Sequence, residues 1–298
     1  MAPQTKLAVL ALALLAPAAA HAVGDYPPRI EGARVETYKT VGETKLNVWI
    51  FGPQAAPDAA RPAIVFFFGG GWRAGSPQQF EPQCRHLAER GMVAITADYR
   101  VASRHGAKPV DCLADARSAI RWVRTNAARL GVDPGRIAAA GGSAGGHLAG
   151  GTAFIEAFDD PAEDRGVSAA PNALVLFNPA LVLAPLPGLD LAGFGTRVPA
   201  DRLGTDPRKL SPAHHVRPGG PPTIIFHGDA DETVPIATAE AFAAAMRQAG
   251  NRCELVASEG QPHGFFNREP WRSKTLAETD AFLASLGWIA TEPATARR

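Results

Sequence analysis

The segment Ala63-Ile64-Val65-Phe66-Phe67-Phe68 carries six apolar side chains in a row and then breaks on three glycines. A strand with one face in water alternates apolar and polar residues. A run with no polar face must be covered on both sides, as in a parallel sheet sandwiched between helices. Segments of the same kind recur at 92–97, 136–140, 173–177, 223–226 and 253–257. Between them, 111–130 (ended by Gly131), 144–158, 238–248 (closed by Gly250) and 273–286 read as helices, and Cys84 falls in a further one. The segment 45–50 alternates instead, with Leu46, Val48 and Ile50 on one side, and reads as a half-exposed strand near the start of the sheet. Strands that alternate with helices predict an α/β fold with a mostly parallel central sheet flanked by helices on both faces.

No internal repeat and no linker divides the chain, so residues 23–298 are expected to form a single domain. The stretch 52–62, rich in Pro and Ala, reads as a loop. Residues 183–203, rich in Pro, Leu and Gly, lack clean periodicity and read as a cap or lid segment, or as a long surface loop. Residues 1–22 read as a signal peptide: Lys6 precedes an apolar stretch at 7–20, and Ala20-His21-Ala22 fits a small-x-small cleavage site. An uncleaved anchor is the alternative, but the apolar stretch is short for a bilayer. The expectation is a secreted or periplasmic protein with no membrane association after cleavage. A formal net charge of +1, with no block of like charges, offers nucleic acid no electrostatic footprint. An oxidising compartment permits disulfides. Of the three cysteines, Cys84 and Cys112 could pair, but sequence spacing does not settle their distance.

In parallel sheets, ligands meet the carboxyl ends of the strands, and three chemistry-bearing segments fall there. Gly141-Gly142-Ser143-Ala144-Gly145-Gly146 lies between a strand and a helix and fits G-x-S-x-G, in which a serine on a sharp turn projects its hydroxyl above the sheet. Phe68-Gly69-Gly70-Gly71-Trp72 can turn backbone N–H groups inward. Gly70 and Gly71, with the amide of Ala144, are the candidate oxyanion-hole donors. The third segment supplies acid and base: Asp231 after one strand, with Asp229 as rival, and His263 in a Gly/Pro-rich loop after the last strand. An imidazole takes the serine proton and a carboxylate holds that imidazole in the needed tautomer. The chain order Ser143, Asp231, His263 is the order expected for a serine hydrolase on such a sheet. Trp72 is expected either exposed as one wall of a substrate pocket or packed in the core. His147 is expected to pack near the start of its helix, and His86 and His105 to be ordinary helix or loop residues. His214, His215 and His227 with Asp229 show no H-E-x-x-H spacing, so neither metal nor other cofactor is expected.

These motifs, with Asp98-Tyr99-Arg100, Asp133-Pro134-Gly135-Arg136-Ile137, the stretch from His227 to Pro235 and His263-Gly264-Phe265, resemble the α/β-hydrolase superfamily. The resemblance is to secreted bacterial carboxylesterases related to hormone-sensitive lipase and to acetylxylan-type esterases, and it runs from about residue 45 to 286. It implies an α/β-hydrolase fold and a serine esterase acting on short acyl esters, acetyl foremost, of small molecules or plant polysaccharide through an acyl-enzyme. The family acid matches Asp231. Phe68 occupies the position of a histidine that normally braces the glycine loop, so the rigidity of that loop is the open structural question. That departure also leans the reading toward carbohydrate acetates and away from the lipase-like branch. A prolyl-oligopeptidase-like peptidase and a non-catalytic binding protein are the alternatives. The first normally carries a large extra domain and the second normally lacks one member of the triad. Oligomeric state is not legible.

Overall fold

A computed structural model describes residues 26–52, 60–189 and 200–291. The expected signal peptide and the middle of the expected cap, 190–199, lie outside the described residues. Among the described residues, eight strands form one sheet: β1 (Arg34–Val41), β2 (Thr44–Phe51), β3 (Arg61–Phe67), β4 (Val93–Ala97), β5 (Val132–Gly142), β6 (Ala173–Phe177), β7 (Thr223–Gly228) and β8 (Cys253–Ser258). Their spatial order is β1-β2-β4-β3-β5-β6-β7-β8. Only the β1/β2 and β2/β4 pairings are antiparallel. The helices are α1 (Glu81–Glu89), α2 (Ala102–His105), α3 (Pro109–Thr125), α4 (Ala127–Leu130), α5 (Ala144–Phe154), α6 (Ala200–Leu203), α7 (Ile236–Gln248) and α8 (Trp271–Ser285). None of the described helices is long and apolar enough to cross a membrane.

The apolar run in β3 shows why the fold needs two covered faces. Ala63, Val65 and Phe67 enter one core, with residues of α3, α5 and α7. Ile64 and Phe66 enter the other, with residues of α1 and α8. Side chains of a strand alternate between faces, so a strand with no polar residue feeds both cores at once. Fully burying each of the two phenylalanines contributes about 1.5–3 kcal/mol.

Several boundaries differ from the sequence expectation, each for a local reason. β2 is half exposed only at its start. Trp49 is fully buried on the second face, and its indole donates to the Pro28 carbonyl at 3.1 Å, so the preceding segment covers that face. β1 was not expected; its exposed positions dilute the apolar signal. The expected helix 111–130 is two helices: Asn126 interrupts it, its Nδ2 bonded to the Trp122 carbonyl at 2.8 Å. The expected helix 144–158 stops at Phe154, where Arg217 takes the Phe154 carbonyl at 2.9 Å and Arg117 takes that of Ile155.

The three cysteines are free and buried. Cys84 sits in the core under α1 and Cys112 in the core under α3, on opposite faces of the sheet. The sheet itself separates the pair whose bridging the sequence left open.

Candidate active site

β5 runs straight into α5, and Ser143 is the residue between them. Its backbone stands at φ 55°, ψ −118°, a region that costs a non-glycine residue on the order of 1–3 kcal/mol. Surrounding bonds hold it there. The Ser143 N–H donates to the Phe177 carbonyl at 2.9 Å, and the Ser143 carbonyl accepts from the N–H of His147 at 2.9 Å. The turn is also pressed against the end of β3: a Cβ on Gly145 would lie 1.9 Å from the Phe67 carbonyl oxygen. Only glycine fits there.

Asp231 follows β7 and His263 follows β8, and the sheet order brings both beside the end of β5. His263 Nε2 lies 2.9 Å from Ser143 Oγ, and His263 Nδ1 lies 2.7 Å from Asp231 Oδ2. A carboxylate only accepts, so Nδ1 carries the proton and Nε2 presents its lone pair to the serine hydroxyl. Asp231 Oδ1 accepts from the N–H groups of Thr233 at 2.9 Å and Val234 at 2.8 Å. Burial pushes the Asp231 carboxyl up. Hydrogen bonds from His227, His263 and Val234 outweigh it and hold the group well below the usual carboxylate range. The rival Asp229 is exposed, and its Oδ1 takes the Gly260 N–H at 2.6 Å.

The glycine loop passes next to the serine: a Cβ on Gly69 would sit 3.5 Å from Ser143 Cβ. Gly70 has φ 122° and Gly71 φ 61°, and a Cβ on Gly70 would strike the Ala74 carbonyl oxygen at 2.2 Å. The Gly70 carbonyl is turned away, accepting from the N–H groups of Arg73 and Ala74 at 3.1 and 3.2 Å. No acceptor among the described residues takes the amides of Gly70 or Gly71. Ala144 opens α5, where a backbone N–H has no carbonyl one turn earlier.

Phe68 resolves the question of loop rigidity. Its ring is fully buried and stacks on Tyr99 with centroids 4.1 Å apart, and the Tyr99 hydroxyl donates to the Phe68 carbonyl at 2.7 Å. Stacking and one phenolic hydrogen bond brace the loop where the family places an imidazole. The exposed reading of Trp72 is corrected. The residue is 5% exposed with φ 57°, and its indole N–H donates to His147 Nδ1 at 3.2 Å, while His147 Nε2 lies 2.7 Å from the Leu210 carbonyl. The side chain is an anchor, because a buried indole N–H needs an acceptor and His147 supplies one.

Other residues of the site were not singled out from sequence. His227, which opens the stretch likened to the family's acid loop and could imitate a metal ligand, is fully buried; its Nε2 bonds the Val234 carbonyl at 2.8 Å and lies 3.4 Å from Asp231 Oδ2. It braces the acid loop. Gln79 Oε1 accepts from the Gly69 N–H at 2.6 Å, and its Nε2 donates to Asn267 Oδ1 at 3.3 Å. Asn267 Nδ2 donates to the Gly264 carbonyl at 3.0 Å, and the Gly264 N–H donates to Asn178 Oδ1 at 3.1 Å. The carboxamides of Gln79 and Asn267 thus tie the glycine loop to the histidine loop, and that of Asn178 holds the histidine loop at the end of β6. From the described ends of the expected cap, 183–189 and 200–203, Arg202 reaches over and donates to the Gly71 carbonyl at 2.8 Å.

A family model described as alpha/beta hydrolase fold matches residues 64–267, which include the glycine loop, Ser143, Asp231 and His263. Esterase LipQ of Mycobacterium tuberculosis is 31% identical over 250 residues, 79% of this chain and 58% of that protein. The chain therefore spans less than two thirds of this curated relative. Among solved structures, Thermogutta terrifontis esterase 2 with bound butyrate is 51% identical, with a TM-score of 0.84 over 90% of this chain and 99% of that one. The same esterase phosphorylated by paraoxon is 51% identical, with a TM-score of 0.83 over 90% and 99%.

Proposed function

Because the chain belongs to the alpha/beta hydrolase fold family, we propose that it is a serine carboxylic-ester hydrolase acting on short acyl esters through an acyl-enzyme. The observation that carries this reading is the unbroken proton path from Ser143 Oγ to His263 Nε2, 2.9 Å, and from His263 Nδ1 to Asp231 Oδ2, 2.7 Å, beside the amides of Gly70 and Gly71, which no acceptor among the described residues takes. His263 takes the hydroxyl proton as Ser143 Oγ attacks the ester carbonyl carbon. The oxygen that becomes negative is received by the amides of Gly70, Gly71 and Ala144. His263 passes the proton to the leaving alcohol, and Asp231, held ionised, stabilises the imidazolium. Water then attacks the acyl carbon and gives its proton to Nε2, which passes it to Oγ as the Oγ–C bond breaks to release the acid.

Support for a short acyl group comes from the similar esterase that was solved with propionate and with butyrate bound. We take acetyl as the preferred group and a sugar hydroxyl of plant polysaccharide as the preferred alcohol. The resemblance to acetylxylan-type esterases supports this, as does the export signal read in residues 1–22, which points to a secreted or periplasmic site of action. Of the expected cap, the described residues 200–203 are proposed to form part of the mouth of the site, supported by the contact of Arg202 with the glycine loop.

The test is a p-nitrophenyl ester series from acetyl to decanoyl, with acetylated xylan added, on wild type and Ser143→Ala. The expected result is turnover highest at short chains, abolished by the substitution with the circular dichroism unchanged. Retained turnover in Ser143→Ala refutes the nucleophile, and an optimum at long chains refutes the short-acyl reading.

A further inference from the structure

Asn178 is the first residue after β6, between the strand that carries Ser143 and the strand that leads to Asp231. It is 1% exposed and stands at φ 35°, in the left-handed region, which asparagine enters more readily than most residues. Its N–H donates to the Phe226 carbonyl at 2.7 Å. The carboxamide has one consistent orientation: the Gly264 N–H needs an acceptor, so Oδ1 faces it at 3.1 Å. Nδ2 is then left pointing at His263 Nε2, 3.5 Å away.

In the free protein that contact is the weaker of two, because Ser143 Oγ lies nearer, at 2.9 Å, on the same nitrogen. Nε2 has a single in-plane lone pair, and the shorter donor holds it. The balance changes once Ser143 is acylated. Oγ then has no proton to donate, and until water arrives the donor left at Nε2 among the described residues is Asn178 Nδ2. We propose that Asn178 is a positioning residue for deacylation, holding the imidazole with its lone pair directed at the acyl-enzyme during the interval in which serine cannot. Water replaces the long Asn178 contact, loses its proton to Nε2 as its oxygen bonds the acyl carbon, and that proton passes to Oγ as the Oγ–C bond breaks. The first half-reaction does not need Asn178, because there the serine hydroxyl itself orients the base.

This role rests on the esterase reading and gives a kinetic pattern that general loosening of the site does not. For a two-step acyl transfer, kcat/KM reports acylation, while slower deacylation lowers kcat and KM together. Asn178→Gly removes the carboxamide and suits the positive φ. Asn178→Ala removes the same carboxamide without adding a charge, at the cost of a Cβ at positive φ. With p-nitrophenyl acetate, both variants are expected to show kcat and KM reduced together by about tenfold, the rate equivalent of one hydrogen bond. Their kcat/KM stays within about twofold of wild type, and p-nitrophenol appears in a burst of one equivalent per site. Unchanged kcat in both variants, or kcat/KM lost with KM constant, overturns the role. If one variant does not fold, the other decides. A wild-type protein that neither turns over the ester nor takes a fluorophosphonate label on Ser143 defeats the esterase reading instead. A wild type that does both, beside variants with normal kcat, defeats Asn178 alone.

Discussion

His147 ties the glycine loop to the elbow helix and to Leu210 only while it is neutral, so the protein is predicted to lose stability in mild acid through this one ring. Nδ1 must accept the Trp72 indole N–H and Nε2–H must donate to the Leu210 carbonyl. A second ring proton would face another N–H. Burial holds the imidazole down at about 4, the bond to Leu210 offsetting part of that effect. The unfolded chain takes this proton near the ordinary value of about 6.5. Between those two values the unfolded state binds more protons than the folded one, so stability rises with pH through the window and falls as pH drops from 6.5 toward 4. At pH 4.5 the loss from this group is about 2–3 kcal/mol, an order-of-magnitude figure from the linkage relation.

His147→Leu separates this contribution from every other titrating group. At pH 7 the variant leaves the Trp72 N–H and the Leu210 carbonyl buried without partners, at about 1–3 kcal/mol each, so it is the less stable protein by about 2–4 kcal/mol after the gain from the apolar side chain. At pH 4.5 the gap closes by about 2–3 kcal/mol, because only the wild type has a proton to take up at residue 147. Other groups, such as His86 beside Asp280, are common to both proteins and cancel. Urea unfolding followed by tryptophan fluorescence at the two pH values measures the difference. If wild type and variant lose stability equally over the interval, within about 0.5 kcal/mol, then His147 is not the acid-sensitive anchor and the reasoning fails.

Asp231→Asn is expected to lower kcat by about 10⁴-fold, since the imidazole loses the partner that fixes its tautomer. Asp229→Asn, an exposed group bonded to the Gly260 N–H, should leave ester turnover near wild type in the same assay. Gly70→Ala drives a Cβ to within 2.2 Å of the Ala74 carbonyl; kcat should fall by about 100-fold as the loop amides leave their line, read beside circular dichroism. Native protein should give no reaction with a thiol reagent and three thiols per chain once unfolded, reductant making no difference, because all three cysteines are free and buried.

The parts of this protein that could be read along the chain are those set by neighbours in sequence. β3 declares itself through Ala63 to Phe67, since a strand lacking polar residues must be covered on both faces. The elbow declares itself through glycines around Ser143, because a positive-φ turn against β3 admits little else. Asp231 and His263 were legible as loop residues after strands, and their order along the chain made them partners on paper. Asn178 and Asn267 were silent, since each acts through a contact with a residue far along the chain that the fold brings near. Trp72 was ambiguous for the same reason: whether an indole faces solvent or a core depends on an acceptor 75 residues away.

Local chemistry in the chain thus determined which segments become buried strands, where a serine could sit strained at a strand's end, and which acid and base could serve it. The tertiary structure decided that the three meet within hydrogen-bonding distance, that Phe68 braces its loop by stacking on Tyr99, that Cys84 and Cys112 stand on opposite faces, and that Asn178 faces the working nitrogen of His263. Propensity and periodicity act over a few residues, whereas these placements depend on which strands lie side by side, a property that no short window of the chain contains.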